Sequence, residues 1–442
     1  MPVSLRDPIT LGTLTLNNRL YRAPVLEGAG SAPNPAAVYA RHFVPNVEAG
    51  LALVIQGNTI VNPEGRTSPG MSVIGDRARM LALKPLTDAV HRAGGRIITQ
   101  LGHGGSFSLE SWHRDYVAVR TSPPFAPSPL PLWIRSLHRG GVHVMETREV
   151  EELVERFGVV AAWAREAGYD GVQLAGSNAK LLHQFLSPIH NRRKDRYGGD
   201  AIARTTLIRE IREAIAREAG ADYPVLLKYT AVEGTPVRQR RGISLEDGVQ
   251  IATIAAELGF AALTPVHADA VPNTSICRGH FPRGALRRKG IKHRLLNATG
   301  RRTRNLTLAA GLWLSTRRTP FEPVWNRAVF SAVKEAVSIP VFAVGGIRTA
   351  EEANTILREG QADLIGIGRP FYAEPDLARR LLNESDPNHD REAACKSCNQ
   401  CLIPQMLGMP GVCYSPTVKL SLRHRDRASK TAGVQGTGNE AA

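Results

Sequence analysis

Four of the five cysteines in this 442-residue chain fall within 19 residues, at Cys395, Cys398, Cys401 and Cys413, while Cys277 stands apart. Their C-x2-C-x2-C-x11-C spacing points to metal, because disulfides are disfavoured in a reducing compartment. Four thiolates suit a 4Fe–4S cluster or a zinc ion. A second group of residues has the makings of an anion site. Gly345-Gly346 and the turn Gly366-Ile-Gly368-Arg369 would expose backbone N–H groups at helix N-termini, a cradle for a phosphate, with Arg369 adding a bidentate cation. Asn178 offers an amide to a carbonyl oxygen, Lys180 an ammonium, and His267 a group that titrates near neutrality.

The elements that must position these residues are legible as an alternation. Short apolar runs lie at Leu20–Ala23, Leu51–Gln56, Arg96–Leu101, Gly171–Ala175, Pro224–Tyr229, Ala261–Pro265, Pro340–Val344 and Asp363–Ile367. Between them lie stretches with helical apolar spacing, among them Arg148–Ala167, Ile202–Ala219, Leu245–Leu258 and Phe330–Ala336. Eight strands, each followed by a helix or room for one, predict an α/β fold that closes as a (β/α)8 TIM barrel. The doubly wound alternative lacks its Gly-x-Gly-x-x-Gly turn after the first strand. The expected organisation is a barrel over 1–385, a short cysteine-rich extension over 386–418, and a polar, disordered tail over 419–442. Thr121–Val142 reads as a long Pro-rich surface loop.

Charge marks a further segment. The net charge is +16, and twelve Lys/Arg with no Asp or Glu lie between Arg278 and Arg318. A basic insert on a near-neutral body argues against nucleic acid as a partner. Within it Leu306–Leu314, and Trp325 just after, read as buried. No apolar run approaches the roughly 18 residues of a membrane span, and the N-terminus lacks the layout of a secretory signal. A cytoplasmic protein is expected, of undetermined oligomeric state.

The strand ends, read together, resemble the NADH:flavin oxidoreductase family, which contains the old yellow enzymes and the 2,4-dienoyl-CoA reductases. The resemblance rests on Asn18–Val25, Ile98–Gly105, the HQFLSPIHNRRKDRYGG segment His183–Gly199, Ala343–Arg348 and Gly366–Pro370. It implies a barrel that binds FMN. Gln100 would then face the pyrimidine edge of the ring, with the backbone of Ala23, Pro24 and Gly57 against it. Lys228 stands where relatives usually carry Arg near flavin N1 and O2, a cation that steadies the anionic reduced ring. Gly345, Gly346, Gly368 and Arg369 would hold the phosphate.

The resemblance also exposes departures. Old yellow enzymes carry a His, then His or Asn three residues on, then a Tyr, in the strand-4 motif; here these positions are Ala175, Asn178 and Lys180. The dienoyl-CoA reductase branch is closer. It shares Gly-Ser (Gly176-Ser177), a His with Pro five residues on (His267 and Pro272), and Pro-Arg-Gly-Ala (Pro282–Ala285). That branch implies His267 after strand 6 as the proton donor, with Lys180 as the lesser candidate. It also places a 4Fe–4S cluster just past the barrel, although its motif has three residues between the second and third Cys where this chain has two.

Long relatives continue into a dinucleotide-binding half, for which the 29 residues after Cys413 leave no room. NAD(P)H at the barrel mouth, or an electron-transfer protein through the cluster, is therefore expected as donor. The expected activity is FMN-dependent reduction of an activated C=C bond in an enoyl or enone substrate. A CoA carrier is one form of that substrate, its phosphates on the basic insert. The alternatives are a dehydrogenase or amine dealkylase exporting electrons, or a non-catalytic electron-transfer flavoprotein.

Overall fold

A computed structural model describes residues 2–138, 140–235 and 241–418, so the expected tail at 419–442 lies outside the described residues. All eight expected strands form: β1 (Leu20–Arg22), β2 (Leu53–Ile60), β3 (Arg96–Gly102), β4 (Gly171–Gly176), β5 (Val225–Gly234), β6 (Ala262–Asp269), β7 (Phe342–Val344) and β8 (Leu364–Ile367). They pair in parallel in the order β6-β5-β4-β3-β2-β1-β8-β7. A parallel bridge between Leu263 of β6 and Val341, just before β7, closes the circle. The strands are nearly continuous apolar runs because both faces are buried, one by the barrel interior and one by helices.

The helices α1 (Pro35–Glu48), α2 (Lys84–Arg92), α3 (Thr147–Glu166), α4 (Thr206–Ala219), α5 (Leu245–Glu257), α6 (Arg327–Ala336), α7 (Ala350–Arg358) and α8 (Leu377–Leu382) follow the strands in turn. Their sequences fix their ends. Ser244 with Asp247 and Thr349 with Glu352 form capping boxes that start α5 and α7. In α4 the buried residues are Leu207, Ile208, Ile211, Ala214, Ile215 and Ala219, a stripe at helical spacing. Each buried leucine or isoleucine of this stripe contributes roughly 1.5–3 kcal/mol.

A hairpin pairing Ile9–Leu11 with Leu14–Leu16 precedes β1. Its Leu11, Leu14 and Leu16 pack with Leu53, Ile55, Ile98, Leu226, Phe342 and Leu364 from the strands. This plugs the N-terminal end of the barrel and leaves the C-terminal ends of the strands for a site.

Two expectations are corrected. The Pro-rich segment is not simply a loop: Phe125–Ala126 pairs with His143–Val144, and a short helix spans Leu132–Arg135. The basic insert folds as three helices, Arg283–Arg287, Lys289–Thr299 and Arg302–Arg318, but its apolar run is not buried. Leu306 is 70% exposed, Trp313 41% and Leu314 44%, because the run wraps around its helix and only Leu312 of these four turns inward. Trp325 is half-buried. The insert is held instead by Ala285, Ile291, Leu295 and Ala298, which pack on Ile403 and Leu407 of the cysteine-rich extension.

Candidate active site

The strand ends converge on a cavity of about 280 Å³. Ala23 and Pro24 reach it from β1, Gln100 from β3, and Lys228 from β5. Asn178 and Lys180 come from the turn after β4, Gly345 and Gly346 from the turn after β7, and Gly368 and Arg369 from the turn after β8. Gly57 is one step behind. It bridges to Leu26 at a register shift in β2, and a Cβ there would meet Pro24 Cβ at 2.9 Å.

His267 does not line the cavity. It lies inside β6, which runs on to Asp269, and its backbone N–H donates to Asn326 Oδ1 at 3.1 Å. Its Nδ1 is 3.3 Å from Arg278 Nη2. Burial, reinforced by the Arg278 charge, holds its imidazole below the usual histidine range. Arg278 in turn lies 4.4 Å over the ring of Trp325, which does line the cavity.

Several cavity residues were not singled out as site residues from the sequence: Asn58, Ser177, Trp325, Cys277 and Arg348. Asn58 follows Gly57 at a strand end, and Arg348 closes the Ala343–Arg348 motif; strand-end position was the available signal. Nothing local in the sequence brings Cys277 beside Cys395 and Cys401.

The geometry suits a flavin mononucleotide. Gly345 has φ +120 and Gly346 φ +86, a region costly for other residues. A Cβ on Gly345 would sit 2.9 Å from Trp325 and from Asn326, so only glycine leaves this cradle open. Gln100 Nε2 donates to Gln173 Oε1 at 2.7 Å, whose own Nε2 donates to Thr264 Oγ1 at 3.3 Å. That chain of hydrogen bonds fixes the Gln100 amide. Lys228 is buried, and desolvation alone lowers its pKa to about 8. Lys180 is lowered to about 8 by the same cause, and its Nζ donates to Thr67 Oγ1 at 2.8 Å. Arg369 donates to the Arg278 carbonyl at 2.8 Å and to Asn399 Oδ1.

Asn178 and Ala179 both have φ +54, two successive non-glycine residues in the left-handed region. Such strain persists only where surroundings over-determine it. Here Ala179 N–H donates to His183 Nδ1 at 2.7 Å, and its carbonyl accepts from Gln184 Nε2 at 2.7 Å. Asn178 Oδ1 and Asn58 Oδ1 are buried without partners.

Cys395, Cys398, Cys401 and Cys413 line one small adjoining cavity of about 20 Å³ with Arg369 and Tyr372. Among the described residues no three His, Cys, Asp or Glu side chains are gathered closely enough to hold an ion. Nor is any described helix long and apolar enough to cross a membrane.

The sequence matches the NADH:flavin oxidoreductase / NADH oxidase family over residues 4–276 and 289–388. It is 29% identical over 415 residues to a metal reductase of Desulforamulus reducens, covering 92% of this chain and 52% of that protein. It is also 29% identical over 441 residues to an NADH oxidase of Thermoanaerobacter brockii, covering 97% and 56%. The chain thus spans about half the length of these curated relatives. A solved 2-naphthoyl-CoA reductase superposes with a TM-score of 0.70 at 18% identity, over 94% of this chain and 57% of that one, a likeness of fold. With residues 4–276 and 289–388 matched, this chain belongs to the NADH:flavin oxidoreductase / NADH oxidase family.

Proposed function

We propose that the chain is an FMN-dependent oxidoreductase that reduces the activated C=C bond of an enoyl or enone substrate. The observation that carries this reading is the meeting of Gln100, Lys228, Gly345, Gly346 and Arg369 in one cavity with Asn178 and Lys180. FMN, when bound, supplies hydride to the β carbon of the substrate. Arg369 and the Gly345–Gly346 and Gly368 turns hold its phosphate, while Gln100 and Lys228 hold its ring. The Lys228 ammonium counters the negative charge that reduction places on the ring. Asn178 donates its amide N–H to the substrate carbonyl, which draws charge away from the β carbon. A side-chain acid then protonates the α carbon. Lys180 stands in the cavity wall for this role, whereas His267 does not line it.

NAD(P)H is the proposed electron donor. A 4Fe–4S cluster on Cys395, Cys398, Cys401 and Cys413, fed by an electron-transfer protein, is a separate part of the proposal and rests on their spacing and shared cavity. Analysis of iron and sulfide in anaerobically isolated protein tests it; a Cys398→Ser variant with undiminished iron refutes it. A CoA-linked substrate would place its phosphates on the insert arginines.

The test of the main reading is the flavin itself. Protein loaded with FMN and reduced anaerobically should be reoxidised by an enoyl or enone compound in single-turnover mixing. A protein that takes up no FMN, or a reduced flavin that only protein or dye acceptors reoxidise, overturns it.

A further inference from the structure

The basic insert has no part in the cavity described above. Among the described residues, none from 278 to 320 lines that cavity, and none of their side chains is in an ion pair. The segment Arg278–Arg318 supplies no Asp or Glu of its own.

Its last helix, Arg302–Arg318, is roughly 25 Å long at 1.5 Å per residue. The inner face is fixed. Leu312, Ser315 and Thr316 are buried, Leu308 packs on the cluster shared with the cysteine-rich extension, and Ser315 Oγ lies 2.6 Å from Thr274 Oγ1. The outer face is apolar too. Leu306, Ala310, Trp313 and Leu314 are exposed there at helical spacing. Exposed arginines bound this ridge at both ends, Arg301 and Arg302 before it and Arg317 and Arg318 after it. The Arg317 guanidinium stacks 4.1 Å over the Trp313 ring. The middle helix adds Lys289, Lys292 and Arg294, all exposed.

Few occupants match an apolar ridge between arginines. A second copy of the chain would set one acid-free face against another. The chain's own 419–442 opens on Lys419, Arg423, Arg425 and Arg427 with Asp426 as their only acid, so it too would be repelled. A free phosphate or a nucleic acid would take the arginines and leave Leu306, Trp313 and Leu314 in water. A bilayer with anionic headgroups answers both features: phosphates meet the arginines, and the acyl boundary receives the apolar side chains, with a tryptophan at headgroup depth.

We propose that the outer face of the Arg302–Arg318 helix is a docking surface for an anionic phospholipid membrane, on which the chain rests peripherally. This inference does not depend on the FMN reading.

The full chain is sedimented with vesicles of phosphatidylcholine and of a phosphatidylcholine–phosphatidylglycerol mixture. It should bind the mixed vesicles, ignore phosphatidylcholine alone, and let go as added salt screens the headgroups. Arg302→Gln with Arg317→Gln should weaken binding roughly 25-fold, about fivefold for each cation removed. Leu306→Ser with Leu314→Ser should weaken it roughly tenfold or more. Bromine-labelled acyl chains should quench tryptophan fluorescence in the wild type, and Trp313→Phe should remove that quenching. The substituted side chains face outward, so the thermal transition should stay in place; if it moves, the salt series and the Trp313 quenching carry the result.

Arg92→Gln with Arg209→Gln removes two exposed cations from α2 and α4 and should leave binding as it was. A loss equal to that of the insert pair assigns binding to net charge and overturns the docking surface. Mixed-vesicle binding that survives the leucine pair overturns it as well, as does no binding to either vesicle. Tighter binding of poly-L-glutamate or single-stranded RNA than of vesicles overturns it in favour of a polyanion. Self-association without lipid that the leucine pair abolishes overturns it in favour of a second copy.

Discussion

His183 Nε2 lies 3.1 Å from Glu233 Oε1, with both side chains fully buried. Because His183 Nδ1 accepts the Ala179 N–H, the ring proton sits on Nε2, towards Glu233. Ser187 Oγ also donates to the carboxylate at 2.8 Å. Burial pushes this carboxyl up, but His183, His190 and Ser187 outweigh it and hold it below its ordinary range. The strained Asn178–Ala179 turn is thus braced from the end of β5. Glu233→Ala should cost about 3–5 kcal/mol, since it strands a buried hydrogen-bond donor set. Glu233→Gln, which keeps an acceptor, should cost about 1–3 kcal/mol. In the Gln variant, flavin reoxidation by substrate should slow while FMN affinity holds, because Gln100, Lys228 and the Gly345–Gly346 turn do not depend on this brace. Urea denaturation and flavin titration measure the two effects; equal losses in both refute the brace.

Gly345→Ala should weaken FMN binding without unfolding the barrel. The substituent meets Trp325 and Asn326 at 2.9 Å and must adopt φ +120. Strain of this kind costs about 1–3 kcal/mol. It falls on the turn proposed to hold the phosphate, so affinity for FMN should drop roughly 5- to 140-fold at 1.4 kcal/mol per tenfold. Fluorescence quenching of free FMN reports it, and unchanged affinity would detach the turn from the phosphate.

The barrel was legible because parallel strands buried on both faces leave continuous apolar runs, and Gly171–Ala175 or Asp363–Ile367 admit little else. The placing of Gln100, Lys228 and the two glycine turns follows, since a strand end fixes where its last residues go. His267 was less legible. The β-rich run stops at Pro265 in composition, but the pairing with β5 carries β6 on to Asp269, so the histidine lies within the strand and not in a loop above the site. The pairing of Phe125–Ala126 with His143–Val144 spans a long intervening segment that no local pattern encodes. The nearness of Cys277 to Cys395 and Cys401 is of the same non-local kind.

Acid should destabilise the fold through its buried histidines. Burial, together with the Lys180 charge, lowers His103 to about 3, and burial lowers His190 to about 4, from an ordinary 6.5. Between those values the unfolded chain binds protons that the folded chain refuses, so stability rises with pH and falls on acidification. The urea midpoint should therefore be lower at pH 5 than at pH 7. His190→Gln keeps a donor for the Ala270 carbonyl, which His190 Nε2 contacts at 2.7 Å. It should flatten part of that slope; an unchanged slope would assign the acid sensitivity elsewhere.

The insert should behave as a unit with the cysteine-rich extension and apart from the barrel. Ala285, Ile291, Leu295, Ala298 and Leu312 form a cluster with Ile403 and Leu407 that is separate from both barrel clusters. Arg288 Nη2 adds a bond to the Tyr414 carbonyl at 2.6 Å, and His280 N–H donates to the Ser397 carbonyl at 2.8 Å. Leu295→Ala should cost this small core about 2–5 kcal/mol through lost burial and the cavity left behind. A local unit opens at the free energy of its own contacts, below that of the whole fold. Limited trypsin digestion should therefore speed up at the insert, whose twelve Lys/Arg supply the cleavage sites, while the barrel unfolds at an unchanged temperature. Leu306→Ala, at a side chain 70% exposed, should leave the digestion rate as it was. Equal effects of the two substitutions, or a fall in the barrel transition with Leu295→Ala, would mean that the insert and barrel unfold as one.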